Sequence, residues 1–401
     1  MPTFRKIIHL DLDAFFCAVE EQRDPSLRGK AFAVGGSPTG RGVVASCSYP
    51  ARRYGVHSAM PMARAVKICP GLLIVGSDHR RYSMVSRQVM ARLRQLTPLV
   101  EQISIDEAFL DVSALDASAV DLAQELQATI RDELGLPCSL GVASNKLVAK
   151  IANNVGKAGA KRDGPPNAIK VVPPGQETAF LAPLPVEELW GVGPKTAETL
   201  RGLGITTIGD ITRWDERDLA RRFGKHGSDL ARRARGLDDR PVVTEHEAKS
   251  ISQERTFSQD VSDGVELRRM VQKLAAGVAK HLQRDELAGS TVKLKLRWAD
   301  FTTPTRQLTL AQPTDNADRI YTAALQLFDK LWDGRPVRLI GVGVTGLVQQ
   351  ARQFELWEVD SPAFKEAEAA YQRRARLAEA VRKLEQKYGD DAVRRASELE
   401  E

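Results

Sequence analysis

The chain of 401 residues contains only four cysteines, Cys17, Cys47, Cys69 and Cys138. No two form a Cys-x-x-Cys pair, which excludes a zinc ribbon and a disulfide framework and suits thiols kept as small hydrophobes in a reducing compartment. The six histidines are scattered too, so no zinc site is expected. No apolar run is long enough to span a bilayer, and the N-terminus lacks a signal-peptide core. A cytoplasmic protein with no membrane partner is expected. One-sided charge is also missing: Lys+Arg 58 against Asp+Glu 52 leaves a formal +6. That excess permits a polyanionic partner without requiring one. A hydrophobic content of 42% with 27% charged residues is that of a globular protein. The length predicts about two to four domains.

Two acidic stretches stand out. Val100–Val112 is rich in Ile, Val, Leu and Phe and reads as strand, yet it contains the adjacent acids of Ser104-Ile-Asp106-Glu107. Neighbours in a regular strand point to opposite faces. If both acids serve one site the chain must turn there, which predicts two short strands joined at Asp106-Glu107. Carboxylates crowded at a turn repel unless a cation lies between them. The second stretch, Lys6–Asp13, places Ile8, Leu10 and Leu12 on one strand face, with Asp11 and Asp13 on the other. Carboxylates from two distant strand ends suit a hard, oxygen-seeking cation such as Mg²⁺.

Along the chain, Asp13 is placed to cap a helix from Ala14 to about Gln22. Strands at 31–34 and 42–46 flank a glycine-rich turn and predict a hairpin. Helices are expected at 79–96, 120–133 and 145–154, with a strand at 139–143 before the last of them. This alternation indicates an α/β layer around an antiparallel hairpin. From about 169 onward, short glycine-punctuated helices run to 236. Residues 237–249 read as a polar interdomain linker. A small α+β domain follows to 348, with helices at 267–284 and 317–331, and an amphipathic pattern around 377–388 predicts a terminal helix.

Three segments suggest anion binding. Gly191-Val192-Gly193, before a helix that contains Lys195, resembles the helix-hairpin-helix DNA-binding element, whose glycines allow a tight turn and whose backbone N–H groups meet a phosphate. Gly224–Gly227 with Arg232, Arg233 and Arg235 offers either a companion phosphate contact or a solvated basic helix face. In Thr291–Trp298, Lys293, Lys295 and Arg297 share one strand face, opposite Val292, Leu294, Leu296 and Trp298. A sheet with one basic open face is a platform for a phosphate backbone. Between the acidic stretches lie Ser46, Tyr49 and Arg52, and an arginine there can grip triphosphate oxygens bidentately.

Asp11-Leu-Asp-Ala-Phe-Phe16, Tyr49-Pro-Ala-Arg52, Ser104-Ile-Asp-Glu107 and Ser144-Asn-Lys-Leu-Val-Ala-Lys150 together resemble the Y-family translesion DNA polymerases. Trp190–Gly193, Lys249–Phe257, Asp300–Thr303 and Leu339–Gly343 extend the likeness over nearly all of the first 348 residues. The resemblance implies an α+β multidomain right hand. A palm (1–14 and 80–168) with an antiparallel sheet, fingers (15–79) and a helical helix-hairpin-helix thumb (169–236) precede the linker, and an α+β little finger spans 250–348. It implies template-directed, error-prone lesion-bypass synthesis from dNTPs on primer-template DNA, without proofreading, by a monomer. Asp11, Asp106 and Glu107, with the Leu12 carbonyl, would hold two Mg²⁺ ions. Ser46, Tyr49, Arg52 and Lys157 would bind the triphosphate. The family pattern after Lys157 is not kept here, which leaves Lys161 as an alternative. Phe15 and Phe16 both lie near the nucleotide, and the resemblance makes Phe16 the steric gate against ribonucleotides. Gly191, Val192, Gly193, Lys195, Lys293, Lys295 and Arg297 would contact DNA. Gln353, Phe354, Leu356 and Trp357, in the 349–401 tail, look like the peptide that docks on the sliding clamp (the β subunit).

Overall fold

The computed structural model describes residues 4–160, 164–245 and 247–349, with Ala380 alone beyond them. Lys161, the clamp-type residues Gln353, Phe354, Leu356 and Trp357, and the expected terminal helix lie outside the described residues.

The first sheet is built around β1 (Ile7–Leu12). It pairs antiparallel with β6 (Glu107–Asp111) on one side and β7 (Cys138–Ala143) on the other. β5 (Val100–Gln102) and β8 (Ile169–Val171) form the edges. As expected, Ile8, Leu10 and Leu12 share one core, packed against helices Phe15–Arg23, His79–Leu96 and Ala119–Leu134. Ile7 and Phe109 point the other way, onto helix Lys146–Gly159. That helix lies unusually close to β7, because a Cβ on Gly141 would sit 1.9 Å from the Ala149 carbonyl oxygen. Only glycine at 141 lets the helix rest there and bring its lysines to the sheet end. The chain bends at 104–106 between β5 and β6, in keeping with the expected pair of strands joined by a turn.

Two short strands are not evident in the sequence. β2 (Phe32–Gly35) and β3 (Val44–Cys47) make the expected hairpin, but β4 (Leu73–Val75) adds to β2 in parallel. β8, just past the 168/169 boundary, belongs to the first sheet, parallel to β7. The glycine-punctuated helices Pro194–Gly202, Ile208–Thr212, Glu216–Phe223 and Lys225–Ala234 then pack Leu200, Ile208, Leu219 and Leu230 into the core of Leu147, Val148 and Ile151. That helical unit and the sheet therefore share one interior.

The last unit is a four-stranded antiparallel sheet, ordered β11 (Thr305–Thr314), β10 (Leu287–Trp298), β12 (Val337–Gln349) and β9 (Ser250–Val261). Helices Gly264–Arg284 and Ala317–Leu331 cover one face. Val292, Leu294, Leu296 and Trp298 point into that core and leave the other face open.

Residues 237–249, expected to be a plain linker, are fastened at several points. Asp238 accepts from Leu147 N at 3.0 Å, and its carbonyl accepts from Arg5 at 2.6 Å. Val243 N donates to Glu101 Oε2 at 2.9 Å. Among the described residues no helix is long and apolar enough to cross a membrane.

Candidate active site and nucleic-acid interface

Register brings the two acidic stretches together. Asp11 is the cross-strand partner of Glu107, and the Asp106 carbonyl accepts from Leu12 N at 3.0 Å. The turn is held by Ser104, whose hydroxyl accepts from the backbone N–H of Asp106 and Glu107 at 3.2 and 3.0 Å. The same hydroxyl donates to Asp106 Oδ1 at 2.5 Å. Two lysines on one face of helix Lys146–Gly159 meet the acids. Lys150 Nζ lies 2.8 Å from both Glu107 oxygens, and Lys157 binds Asp11 and, at 3.0 Å, Asp13.

The local charge balance is tight. Burial and the adjoining Glu107 push the Asp11 carboxyl up to about 7, even though Lys157 pulls the other way. Burial works against the Lys157 ammonium, yet Asp11 and Asp13 together outweigh it and hold that group above the ordinary lysine range. Among the described residues no three His, Cys, Asp or Glu side chains are set as a ready coordination shell. Asp106 is turned into its Ser104 bond, and ammonium groups sit on Asp11 and Glu107. The donor set is all oxygen, negatively charged and partly buried, which fits a divalent hard cation in place of those ammoniums.

Asp13 does not cap the helix that follows. Its buried carboxylate accepts from Ser139 Oγ at 2.8 Å and from Asn167 N at 3.0 Å. The N-cap is Ala14, in left-handed backbone (φ 48°, ψ 47°) with no side-chain cap. Such a conformation costs a non-glycine residue about 1 kcal/mol or more and persists only where the surroundings fix it. Here it reverses the chain so that the first turn of the helix begins beside the acids. Phe15 is buried in the core, and Phe16 is only half-buried. The Phe16 ring stacks on Tyr82 with centroids 4.2 Å apart and planes 13° from parallel. Tyr82 is anchored by its hydroxyl, which donates to buried Glu20 at 2.7 Å.

Ser46, on β3, accepts a weak bond from the Cys17 thiol at 3.5 Å, next to Phe16. Tyr49 and Arg52 lie on the short helix Tyr49–Arg52, with the guanidinium 4.7 Å from the phenol ring centroid. Burial and the charges of Asp13 and Asp11 push the Tyr49 phenol upward, which places it at the acidic end of the first sheet.

The other predicted contacts are spread over two surfaces. Gly191 has φ +99°, and a Cβ there would strike Arg233, whose guanidinium donates to Trp190 O at 3.2 Å. Val192 packs inward, Gly193 is the N-cap of Pro194–Gly202, and Lys195 is exposed on its first turn. Arg232 is paired with Asp239 at 2.6 Å, and Arg235 donates to its own helix at Ala231 O. Both therefore have structural partners. On the last sheet, Lys293, Lys295 and Arg297 share the open face as expected. That face is not purely basic, since Lys295 pairs with Glu254 of β9 at 2.9 Å. Gly343 and Gly341 lie opposite Lys293 and Lys295, and the Glu254 side chain reaches over Gly341 to Lys295.

Lys150 and Tyr82 have no assigned role in the sequence reading. A signal exists for the lysine: Lys146, Lys150, Asn153 and Lys157 recur at spacings of four, three and four, one stripe of a helix. Lys146 and Asn153 are also buried, the latter donating to His9 Nδ1 at 2.9 Å.

A sheet carrying paired carboxylates at its end, a small β-sheet unit beside it, a helix-hairpin-helix unit and an appended α+β unit define the Y-family polymerase right hand. The chain superposes on a "Y-family DNA polymerase chimera Dbh-Dpo4(243-245)-Dbh" with a TM-score of 0.76 at 25% identity, covering 86% of this chain and 100% of that one. It superposes on DinB from Sulfolobus solfataricus with a TM-score of 0.58 at 26% identity, over 86% and 100% of the two chains. Three family models match: impB/mucB/samB over residues 10–154, the IMS family HHH motif over 174–205 and the impB/mucB/samB C-terminal domain over 248–356. DNA polymerase IV of Listeria innocua is 43% identical over 351 residues, 86% of this chain and 96% of that protein. The Alkalilimnicola ehrlichii enzyme of the same name is 43% identical over 361 residues, 88% and 99% of the two chains. The chain therefore belongs to the impB/mucB/samB family of Y-family translesion DNA polymerases, metal-dependent nucleotidyltransferases that carry out DNA-directed DNA synthesis.

Proposed function

We propose that the end of the first sheet is where this polymerase joins a dNTP to a primer 3′ end, with Asp11, Asp106, Glu107 and the Leu12 carbonyl holding two Mg²⁺ ions. The observation that carries this reading is the pairing of Asp11 with Glu107 across β1 and β6, with Asp106 one residue away. When bound, such ions would supply the positive charge that stabilises the attacking and leaving oxygens of an in-line displacement. The chain's own residues do the rest. Ser46, Tyr49 and Arg52 take the triphosphate, and Lys157 lies close enough to exchange Asp11 for a phosphate oxygen. The half-exposed Phe16 ring, fixed against Tyr82, presents a flat wall where a 2′-hydroxyl would lose its hydration without a partner. The helix-hairpin-helix turn at Gly191–Gly193 with Lys195, and the open face bearing Lys293, Lys295 and Arg297, grip the duplex through phosphates. In the segment that begins at Gln353, Phe354, Leu356 and Trp357 offer apolar anchors to a groove on the sliding clamp. Phe354→Ala with Trp357→Ala should abolish clamp stimulation and spare distributive synthesis.

Primer extension tests the central assignment. Asp106→Ala and Glu107→Ala should each abolish extension while primer-template binding stays near wild type. Extension at a near wild-type rate by either variant would remove the carboxylates from the reaction.

A further inference from the structure

The turn between β10 and β11 carries a feature that the proposed active site does not use. Phe301 is 61% exposed and has φ +67°, a left-handed backbone that only a well-bonded turn imposes on a phenylalanine. The turn supplies those bonds. Phe301 N donates to Trp298 O at 3.1 Å, and Trp298 N to Thr302 O at 3.0 Å. Thr302 N donates to Asp300 Oδ1 at 2.8 Å, and Thr303 Oγ1 donates to Phe301 O at 3.0 Å. Arg297 Nε in turn donates to Thr303 Oγ1 at 2.8 Å. The strained backbone is thus braced from several sides, and the result is a large apolar ring held out in solvent.

A cation lies against the ring. The Arg338 guanidinium lies 4.4 Å from its centroid, and Arg338 has no carboxylate partner among the described residues. An exposed ring with a guanidinium against it is an arrangement that takes a stacked nucleobase.

Position selects which nucleotide. The turn lies at the end of the sheet where β10 finishes at Trp298, opposite Val337, and β9 finishes at Val261. That end touches the β2–β3 unit: Arg41 pairs with Asp260 at 2.7 Å and donates to Phe257 O at 3.1 Å. The same unit carries Ser46, Tyr49 and Arg52, the proposed triphosphate residues. Beyond the incoming nucleotide only the template continues, unpaired.

We propose that Phe301, backed by Arg338, is a stacking post for an unpaired base of the single-stranded template ahead of the position being copied. This rests on the reading that the open face of the last sheet and the β2–β3 unit flank the duplex and the nucleotide.

The test uses the full chain and two DNAs, a blunt duplex and the same duplex with a short 5′ template overhang containing 2-aminopurine. Phe301→Ala should cut affinity for the overhang DNA about tenfold and leave the blunt duplex unchanged. Phe301→Trp should retain or improve it. Quenching of 2-aminopurine emission by wild type and Phe301→Trp should be lost in Phe301→Ala. Equal weakening on both DNAs would make the ring a duplex contact, and no change on either would mean that it faces something other than DNA; both results overturn the proposal. The Lys293→Ala, Lys295→Ala, Arg297→Ala triple variant separates the underlying reading, which fails if that variant binds blunt duplex as wild type does.

Discussion

Replacing Lys146 with Met should be among the most destabilising single changes in the chain, although no lysine is usually thought of as core. Lys146 Nζ lies 2.6 Å from Glu101 Oε2, and the two side chains are 5% and 11% exposed. The same oxygen accepts from Val243 N at 2.9 Å, so the carboxylate joins β5, the start of the lysine-bearing helix and the segment leading to the last sheet. Methionine matches the length of lysine but takes the directly bonded ammonium away from the buried Glu101 carboxylate, a loss of up to about 3–5 kcal/mol. That is a large fraction of the roughly 5–15 kcal/mol that holds an ordinary domain together. The urea midpoint should fall by about 1–2 M. Adding Glu101→Leu removes the buried carboxylate, and part of the loss should return. A deficit of about 1–3 kcal/mol should remain, because Val243 N then has no acceptor. Equilibrium denaturation of the three proteins gives the order wild type, double variant, Lys146→Met. A Lys146→Met protein within about 1 kcal/mol of wild type, or a double variant weaker than the single one, would refute the reasoning.

Asp11 supplies a pH prediction with the opposite consequence for stability and activity. Because burial and Glu107 raise its carboxyl to about 7, the folded protein holds a proton that the unfolded chain releases near its ordinary range. Without divalent ions, stability should therefore fall as pH rises through about 7, and Asp11→Asn should lose less over that range than wild type while being inactive. Melting in EDTA at pH 5 and pH 8 checks this, and equal shifts at both pH values would contradict it. Substituting Lys293, Lys295 and Arg297 singly with Ala should flatten the slope of log K against log[salt] by about 0.9 for each phosphate no longer neutralised. Lys293 should show the full effect, and Lys295, which must first leave Glu254, a smaller one; unchanged slopes would make the face ordinary solvated sheet. Phe16→Ala should admit ribonucleotides with little loss of dNTP incorporation, whereas Phe15→Ala should cost about 3–5 kcal/mol of stability. Ribonucleotide exclusion that survives Phe16→Ala would leave the gate unassigned.

What the sequence reveals about this fold depends on how local the cause is. β1 and the β5–β6 turn are legible because alternation and a pair of adjacent acids are local patterns. Helix 79–96 is legible because its apolar spacing runs unbroken from the Asp78 cap. β4 and β8 are not, since each is three residues long and exists only because a distant strand offers an edge. Asp13 misleads for a similar reason: nothing near it in sequence announces that Ser139 and Asn167 will bond its carboxylate. Residues 237–249 look like a linker because their partners, Arg5, Glu101 and Leu147, all lie more than ninety residues away. The basic face of β10 is visible, but the acid beside it comes from β9 and shows only once the register is known.

The lysine stripe explains how the active-site end can fold with so many acids. Asp11, Asp13, Asp106 and Glu107 gather where three strands end, and charges of one sign at such spacing would push the end of the sheet apart. Helix Lys146–Gly159, allowed close by Gly141, sets Lys150 against Glu107 and Lys157 against Asp11 and Asp13. Two ammoniums against four carboxylates leave an excess of negative charge, which adds to burial in making Asp11 hold its proton toward neutral pH rather than ionise freely. On the proposed reading, a divalent cation supplies the missing positive charge and frees the ammonium it replaces. Lys157, paired with Asp11 and Asp13, is the one placed to turn to an arriving triphosphate. On that reading Lys157 helps keep the acids together in the folded chain and then meets the substrate, so one charge serves folding first and nucleotide capture afterwards.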